Sequence, residues 1–498
     1  MTILLSAILA AATLQPQLDA LARLPGEPQI VSAAGIAKSE EPILTIENAG
    51  AFDPAPAKRR LVILGSAGDE TAGQAVIDAV RWLKTSAPDS IKTRWIVSAM
   101  PMTAPDPTEA GALTRWVTFQ APDLIVEVGS TGTSLQLPDV RIARVPAASV
   151  GDVLPGLLTP AAETSALHKR LVDRVQRPPL DIARVLAKRY PETPGISYIP
   201  SVAWNQTLRL SAMTGDASLR AKVLEQTKPW LIGEKKLFGD RIQLTSIAGT
   251  LIFAELAASG EAAAGPLADE GATFAAKEKS PSVPEYGQGW TDDMFMASAI
   301  LTRMNGRPGH ERDMDVAARL VIAYAAKLQQ PSGLFNHAVD GPAAWGRGNG
   351  FAALGLFHVL SRMRDDDPLR PRILDIFRTQ MSAVRRQQAP DGMWRQIIDD
   401  PAAYREETAT AMLLTAMARG IRLGWLDQSY RPIVDRAWRA LSAHVVGDGT
   451  VIDVCTGTGS GPTQRYYFDR QAITGADDRG GAMALLASME MAELLGRR

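Results

Sequence analysis

The sequence predicts a multidomain protein: an all-α toroid of paired helices preceded by a small α/β domain. Two patterns and one break carry that expectation. From Ile182 onward, about a dozen helix-period segments fill roughly 315 residues and alternate with Gly-, Pro- and Asp-rich connections. From Arg59 to about Val150, short apolar runs of strand character instead alternate with amphipathic stretches. Between the two, Pro155, Pro160, Pro178 and Pro179 interrupt the chain, so residues 151–180 read as a linker region. The expected organisation is an α/β domain at 55–150, the linker, and a helical domain at 181–498.

Taken in order, the chain begins with an apolar run, Ile3 to Thr13, containing Ala10-Ala11-Ala12. It resembles a secretory h-region with small residues near a cleavage point, which marks residues 1–20 as a signal peptide and the protein as periplasmic or secreted. No Lys or Arg precedes the run, and an ordinary first helix in a cytoplasmic protein is the alternative.

In the α/β part, Leu61–Leu64, Trp95–Val97 and Leu124–Val126 have strand character, and Thr71–Thr85 and Ala112–Phe119 have helical spacing. A small, mostly parallel sheet covered by helices follows. The turn Gly65-Ser66-Ala67-Gly68-Asp69-Glu70 resembles that of zinc carboxypeptidases, where a His and a Glu three residues later bind the metal. Glu70 stands in place, but Ala67 occupies the first His position, and Gly129 occupies the second in Glu127-Val128-Gly129-Ser130. A catalytic zinc needs three protein ligands. The region therefore reads as a degenerate carboxypeptidase-like module or an unrelated α/β domain, without peptidase activity and without metal.

Composition narrows the partners. The net charge is −1, the isoelectric point about 6.6, and no basic block stands out, which argues against nucleic acid or an anionic membrane surface. The single cysteine, Cys455, excludes an intrachain disulfide and a multi-cysteine zinc site, and the five histidines are scattered. No metal or organic cofactor is implied.

In the helical part, the expected helices are Val202–Met213, Ser218–Leu231, Ser246–Ala258, Phe295–Met304, Met314–Gln329, Phe351–Arg364, Pro371–Gln388, Thr408–Leu423, Tyr430–His444 and Gly480–Leu495. Ile182–Lys188 and a less regular segment near Leu267–Lys277 complete the set. The chemistry-bearing motifs fall in the connections: Gly289-Trp290-Thr291-Asp292-Asp293, Phe335-Asn336-His337, Trp345-Gly346-Arg347-Gly348-Asn349-Gly350 and Asp391-Gly392-Met393-Trp394-Arg395. Irregular backbone carrying Trp, Arg and Asp at one end of a toroid is a usual place for a site.

With Tyr404–Met412, Val454–Gly459, Tyr466-Tyr467 and Asp477–Ala482, these motifs run in order from residue 200 to 495. Together they resemble the unsaturated glucuronyl and rhamnogalacturonyl hydrolases, glycoside hydrolase families 88 and 105, the second more closely. The resemblance implies an (α/α)6 barrel that hydrolyses the Δ4,5-unsaturated uronic acid left at a non-reducing end by polysaccharide lyases. Such enzymes act by hydrating a vinyl ether rather than by two-carboxylate attack at the anomeric carbon. One acid protonates C4 and then takes a proton from the water that adds at C5.

By that resemblance Asp292 is the acid, the alternative being a helix cap. Asp293 stands where Gly is usual, which predicts a narrower or more acidic pocket mouth. Arg347 offers a planar fork for the uronate carboxylate, with Asn349 and Trp345 beside it; a bland glycine-rich loop is the alternative. His337 serves as a donor to the sugar or to the acid's hydrogen-bond network, or is merely structural. Asp240, just before a helix, resembles a second site carboxylate, and capping rivals that role. Trp290 and Trp394 read as walls that stack on sugar faces, or as core. Glu407, Thr408 and Thr410 orient the pocket from behind, and Cys455 packs in a turn. The partner is thus an oligosaccharide with a terminal unsaturated uronic acid. Two other readings stay open: a carbohydrate-binding or scaffold protein on a dead barrel, and another toroid hydrolase or lyase.

Overall fold

The structure, a computed structural model, describes residues 14–37, 41–52, 58–103, 110–133, 135–137, 139–159, 163–401 and 403–496. The apolar run at Ile3–Thr13 lies outside them except for its neighbour helix from residue 14. Contacts divide the chain into two units. One comprises the chain up to Gln176 with Ala389–Met393 and Asp400–Arg405, and the other holds the remainder.

The first unit is built on a six-stranded sheet of β1 (Gln29–Ile36), β2 (Pro42–Asn48), β3 (Arg59–Gly65), β4 (Trp95–Met100), β5 (Leu124–Val128) and β6 (Arg141–Val145), in the order β1-β2-β4-β3-β5-β6. β4, β3, β5 and β6 run parallel, whereas β1 and β2 are antiparallel to each other and β2 to β4. Alternate residues of the parallel strands feed two cores. Leu61, Ile63, Leu124 and Val126 pack with Val76 and Val80 of α1 (Glu70–Thr85). Val62, Leu64 and Ile125 pack with Trp116 and Val117 of α2 (Ala110–Gln120). Both faces are covered, which is why these strands read as unbroken apolar runs.

β1 and β2 precede the expected domain start at 55. Their sequences carry Ser, Thr, Gly and Glu, so no apolar run announces them; Glu47 of β2 is instead buried by accepting Trp116 Nε1 (2.9 Å), Gln120 Nε2 (2.7 Å) and Arg405 Nη2 (2.6 Å). The stretch expected as a linker, 151–180, carries α3 (Val150–Leu158) and α4 (Ala166–Gln176), and Leu154 and Leu158 are buried.

At the turn Gly65–Glu70, Asp69 caps α1 by accepting the Ala72 N–H at 2.9 Å, a contribution of about 1 kcal/mol. Glu70 is exposed. Gly129 sits at φ +121°, and a Cβ there would stand 2.3 Å from Ser66 Oγ, so no histidine fits without moving Ser66. Metal analysis is expected to find no stoichiometric zinc; one tightly held zinc per chain would overturn the reading.

The second unit is helical. Its helices are α5 (Pro179–Arg189), α6 (Tyr198–Thr214), α7 (Ala217–Leu231), α8 (Leu244–Gly249), α9 (Leu251–Ala258), α10 (Ala264–Ala275), α11 (Thr291–Met304), α12 (Asp313–Leu328), α13 (Gly346–Arg362), α14 (Arg370–Arg386), α15 (Glu407–Arg422), α16 (Arg431–Ala443) and α17 (Asp478–Leu494). A short hairpin of β7 (Val451–Cys455) and β8 (Ala472–Gly475) precedes the last helix. α6 packs on α8, α8 on α11, α11 on α13, α13 on α15, α15 on α17, and α17 back on α6. α9 continues from α8 and packs on α6 and α11, and the others lie outside this ring, α5, α7, α10, α12, α14 and α16 each against one or two of its members.

The residue patterns explain which helix goes where. α11, α13 and α15 are apolar or small almost all round and are buried along most of their length, as an inner helix must be. α14 buries only one stripe, including Ile373, Phe377, Met381 and Val384, and turns its arginines outward. The inner helices start earlier than their apolar runs suggest: α11 at Thr291 rather than Phe295, and α13 at Gly346 rather than Phe351.

Candidate active site

The first turns of α11, α13 and α15 abut, and glycines permit it. A Cβ on Gly348 would lie 2.8 Å from Thr291 Oγ1, one on Gly346 2.4 Å from the Arg395 carbonyl, and one on Gly350 2.5 Å from Met412 Sδ. Gly346–Gly350 is therefore a helix start pressed between neighbours, not a loop, despite three residues of poor helix propensity. Two of the four site motifs expected in connections, Gly289–Asp293 and Trp345–Gly350, run into first helical turns, while Phe335-Asn336-His337 and Asp391–Arg395 do lie in connections.

Asp292 is the second residue of α11, with Trp290 in the capping position. Its Oδ2 meets His337 Nε2 at 3.0 Å, and its side chain is 13% exposed while that of His337 is fully buried. His337 Nδ1 in turn meets the Tyr467 hydroxyl at 2.9 Å, and the Gly461 N–H donates to that hydroxyl at 3.2 Å. Burial pushes the Tyr467 hydroxyl above its ordinary range, and it donates to Ser460 Oγ at 3.5 Å besides meeting Nδ1. With the ring proton on Nε2, His337 donates to Asp292; with it on Nδ1, His337 donates to Tyr467 and accepts from a protonated Asp292. The loop bearing His337 is sewn to the start of α11 by Thr291 N–H to the His337 carbonyl, 2.9 Å. Trp345, buried, lies 4.5 Å from the imidazole centroid, and half-buried Trp290 lies 5.3 Å from it on another side.

Several expected roles are redistributed. Arg347 is buried, and its Nη1 and Nη2 donate to the Cys455 and Thr456 carbonyls, each at 2.7 Å, while the guanidinium lies 4.8 Å from the Trp345 ring centroid. Burial works against its charge, but Cys455, Glu406, Tyr198 and Asp292 more than offset that and hold it above its usual range. Both ends of its fork are thus committed to the rim loop. Asn349 is likewise consumed: its side chain brackets Phe335, accepting its N–H (2.8 Å) and donating to its carbonyl (2.9 Å), and also donates to Trp345 (3.1 Å). It shapes the His337 loop. Trp394 is fully buried with its indole donating to the Val384 carbonyl at 2.8 Å, so it is core and not a sugar wall. Asp240 lies exposed in a bend, and α8 begins at Leu244 without a side-chain cap. It makes no hydrogen bond to the residues around Asp292.

Asp293 faces away from the mouth. It is 2% exposed, accepts from the Gly289 N–H and the Tyr324 hydroxyl at 2.7 Å each, and burial pushes its carboxyl up to about 6. The folded chain therefore holds a proton that the unfolded chain releases near pH 4. Stability is lost as pH rises from about 4 to about 6, and the deficit persists above that, on the order of 1–3 kcal/mol. Asp293→Asn keeps both acceptor contacts without the charge, so it should raise Tm clearly at pH 7.5 and much less at pH 4.5. Equal shifts at both pH values would refute this.

The sequence reading placed Tyr466-Tyr467 and Asp477–Ala482 among the motifs but gave Tyr467 and Arg479 no role. Asp477 caps α17 by accepting the Arg479 and Gly480 N–H groups at 2.9 and 3.1 Å, and pairs with Arg479 Nη2 at 2.9 Å. Arg479 Nη1 lies beside Gly457, 3.3 Å from where a Cβ would stand, and the side chain is 23% exposed. Burial pushes the Tyr198 hydroxyl up to about 12, and Arg347, Asp292, Arg479 and Asp477 all act on it, so these groups share one neighbourhood. The rim loop runs from Arg347 at Cys455, past Arg479 at Gly457 and Trp290 near Gly459, to Tyr467 at Gly461. Behind it, Glu406 binds the Cys455 N–H (2.8 Å) and caps α15, with Thr408 and Thr410 bonded to it. Glu407 is fully buried with no hydrogen bond to a described residue; burial first, then Glu406 and Asp477, push its carboxyl well above the usual range. Cys455 is buried at the end of β7 rather than in a turn.

Comparison with known proteins bears on this arrangement. Residues 264–495 match the family profile described as Glycosyl Hydrolase Family 88. The unsaturated rhamnogalacturonyl hydrolase YesR of Bacillus subtilis is 31% identical over 179 residues, 34% of this chain and 50% of that protein. The unsaturated 3S-rhamnoglycuronyl hydrolase of an Alteromonas species is 26% identical over 215 residues, 41% of this chain and 50% of that protein. This chain thus spans about half the length of the curated relatives it matches. Among solved structures, a possible member of the GH105 family from Salmonella enterica superposes with TM-score 0.56 at 18% identity, covering 68% of this chain and 97% of that one. The family 105 glycoside hydrolase of C. acetobutylicum gives TM-score 0.57 at 18% identity, covering 63% of this chain and 98% of that one. Over the span that holds Asp292, His337, Arg347 and Tyr467, the chain is similar to the glycosyl hydrolases of family 88 and folds like the solved family 105 proteins.

Proposed function

We propose that the helical unit is an (α/α)6 barrel that removes a Δ4,5-unsaturated uronic acid from the non-reducing end of lyase-generated oligosaccharides. The observation that carries this reading is the hydrogen-bonded series Gly461–Tyr467–His337–Asp292, which ends on a partly exposed carboxyl at the converging first turns of inner helices. Those helix starts point partial positive charge at the site, which suits a carboxylate-bearing sugar.

In the proposed reaction His337 orients Asp292 through Oδ2, so that Oδ1 carries the reacting proton. Asp292 delivers that proton to C4 of the vinyl ether, and positive charge develops at C5 and the ring oxygen. Water adds at C5 and gives its proton to the Asp292 carboxylate, restoring the acid. The resulting hemiketal opens and releases the rest of the sugar chain. Trp290, half-buried at the mouth, supports a sugar face, and Arg479 reads the uronate carboxylate with Nη1. The two curated relatives' names favour rhamnose as the sugar released.

The test follows the substrate's ultraviolet absorbance, because hydration of C4=C5 destroys the chromophore. Loss of absorbance with an unsaturated uronyl-rhamnose substrate is expected, faster than with an N-acetylglucosamine aglycone. No loss with any unsaturated uronide would reject the reading. Among the described residues no helix is long and apolar enough to cross a membrane.

A further inference from the structure

A cavity of about 710 Å³ opens among the C-terminal halves of the inner helices, and none of Asp292, His337, Trp345 or Arg347 lines it. Its size is that of a small-molecule site. Arg209 of α6, Arg303 of α11, Arg362 of α13, and Arg419 and Arg422 of α15 line it. Three carboxylates answer these five guanidinia. Glu490 of α17, fully buried, takes Arg209 at 2.6 Å and also Arg419; burial would raise its carboxyl, but these two arginines reverse that and hold it at about 2. Glu493 takes Arg422 at 2.9 Å, and Glu255 takes Arg303. Arg220 at the rim is matched by Glu261 at 2.6 Å.

Arg362 is the one left over. Its side chain, 27% exposed, makes no hydrogen bond to another described residue, and its ion pair with Glu255 spans 3.8 Å. Burial, then Arg303, lowers its guanidinium to about 10, although Glu255 acts in the opposite direction. His358, one turn earlier on α13, also lines the cavity, and its Nδ1 is buried without a hydrogen-bond partner among the described residues. Burial, then Arg362 and Arg419, hold it well below its ordinary range, so it is neutral and can donate or accept.

Arginines near helix C-termini also offset the partial negative charge of those ends. That role accounts for their position, but not for a surplus of two over the facing carboxylates or for a void of this volume at their tips. The helix-end charge fades within a turn, whereas a guanidinium–oxyanion bond is direct and charge-assisted. Leu208, Leu251, Phe357 and Leu486 supply apolar wall.

We propose that this cavity is a second binding site, specific for a compact tetrahedral dianion such as phosphate or the phosphoryl group of a sugar ester, with Arg362 and His358 as its unsatisfied polar contacts. The site would sense ligand from behind the catalytic end. Phe295, which lines it, sits three residues after Asp292 on α11 and meets Tyr198 and Phe351 at 6.2 and 5.8 Å between centroids.

Titration calorimetry of the full chain with inorganic phosphate, glucose 6-phosphate and glucuronate tests it. Phosphate, the ester or both should bind with one site per chain, and the monoanionic glucuronate at least about tenfold more weakly at this site. Binding of phosphate alone would assign the free ion, and binding of the ester would assign a sugar phosphate. Arg362→Gln should weaken the dianion at least about tenfold and leave uronide turnover intact. Asp292→Asn should bind the dianion as wild type does, which separates this site from the catalytic reading. Should Arg362→Gln not fold, Arg422→Gln at the cavity edge carries the same expectation. No saturable heat with either dianion, or equal affinity in the folded variant, would overturn the proposal.

Discussion

Asp292→Asn should lower turnover by roughly two orders of magnitude or more while leaving the fold intact. The amide is isosteric and can still accept the His337 Nε2–H at the 3.0 Å contact, so the Tyr467–His337 series has no reason to rearrange. It has no acidic proton to give to C4. Nor does helix stability depend on the side chain as a cap, since Trp290 occupies the cap position; only a first-turn charge is lost, roughly 0.3–1 kcal/mol. Turnover by absorbance loss and thermal unfolding by circular dichroism check both halves. Near-normal turnover in a folded variant would remove Asp292 from the acid's role.

Arg479→Ala should cost kcat/KM about 30- to 1000-fold, on the order of 2–4 kcal/mol, and abolish the preference for a free uronate over its methyl ester. Arg479 is the partly exposed guanidinium at the rim, tied to Asp477 through Nη2 at 2.9 Å with Nη1 beside Gly457. Arg479→Lys keeps charge without the fork and should recover only part of the loss. Arg347 is expected to behave differently. Its removal strips two charge-assisted bonds from the Cys455 and Thr456 carbonyls in a buried setting, so Arg347→Ala should chiefly lower Tm. If Arg479→Ala still discriminates against the ester as wild type does and Arg347→Ala does not, the carboxylate is read by Arg347 and the pocket must be redrawn.

The commitment of Arg347 to the Cys455 and Thr456 carbonyls illustrates where local pattern stops. Gly346-Arg347-Gly348-Asn349-Gly350 reads as a flexible loop aiming polar groups inward, because glycine is a poor helix former. In the folded chain the missing Cβ atoms are needed for a different reason, the close approach of Thr291, Arg395 and Met412 to one helix start. Helical geometry then turns Arg347 and Asn349 onto the loops at Cys455 and Phe335. Trp394 is a similar case: an indole beside Asp391-Gly392 looks like a sugar wall, yet its N–H is satisfied by Val384 inside the core.

Local pattern by itself determined the helical periodicity of the second unit and the parallel strands of the first, since each depends on residues close in the chain, whereas the choice of Asp292 and His337 came from the resemblance carried by motifs far apart in the sequence. Apolar spacing decides which face is buried, and a carboxylate followed by an apolar run marks a helix start. Only tertiary structure decided the partners. Tyr467 reaches His337 across 130 positions, Arg347 reaches Cys455 across 108, and the arginines of the second cavity come from five separate helices. Those contacts join segments far apart in the chain, and nothing local in any one segment encodes which distant side chain will fill the space beside it.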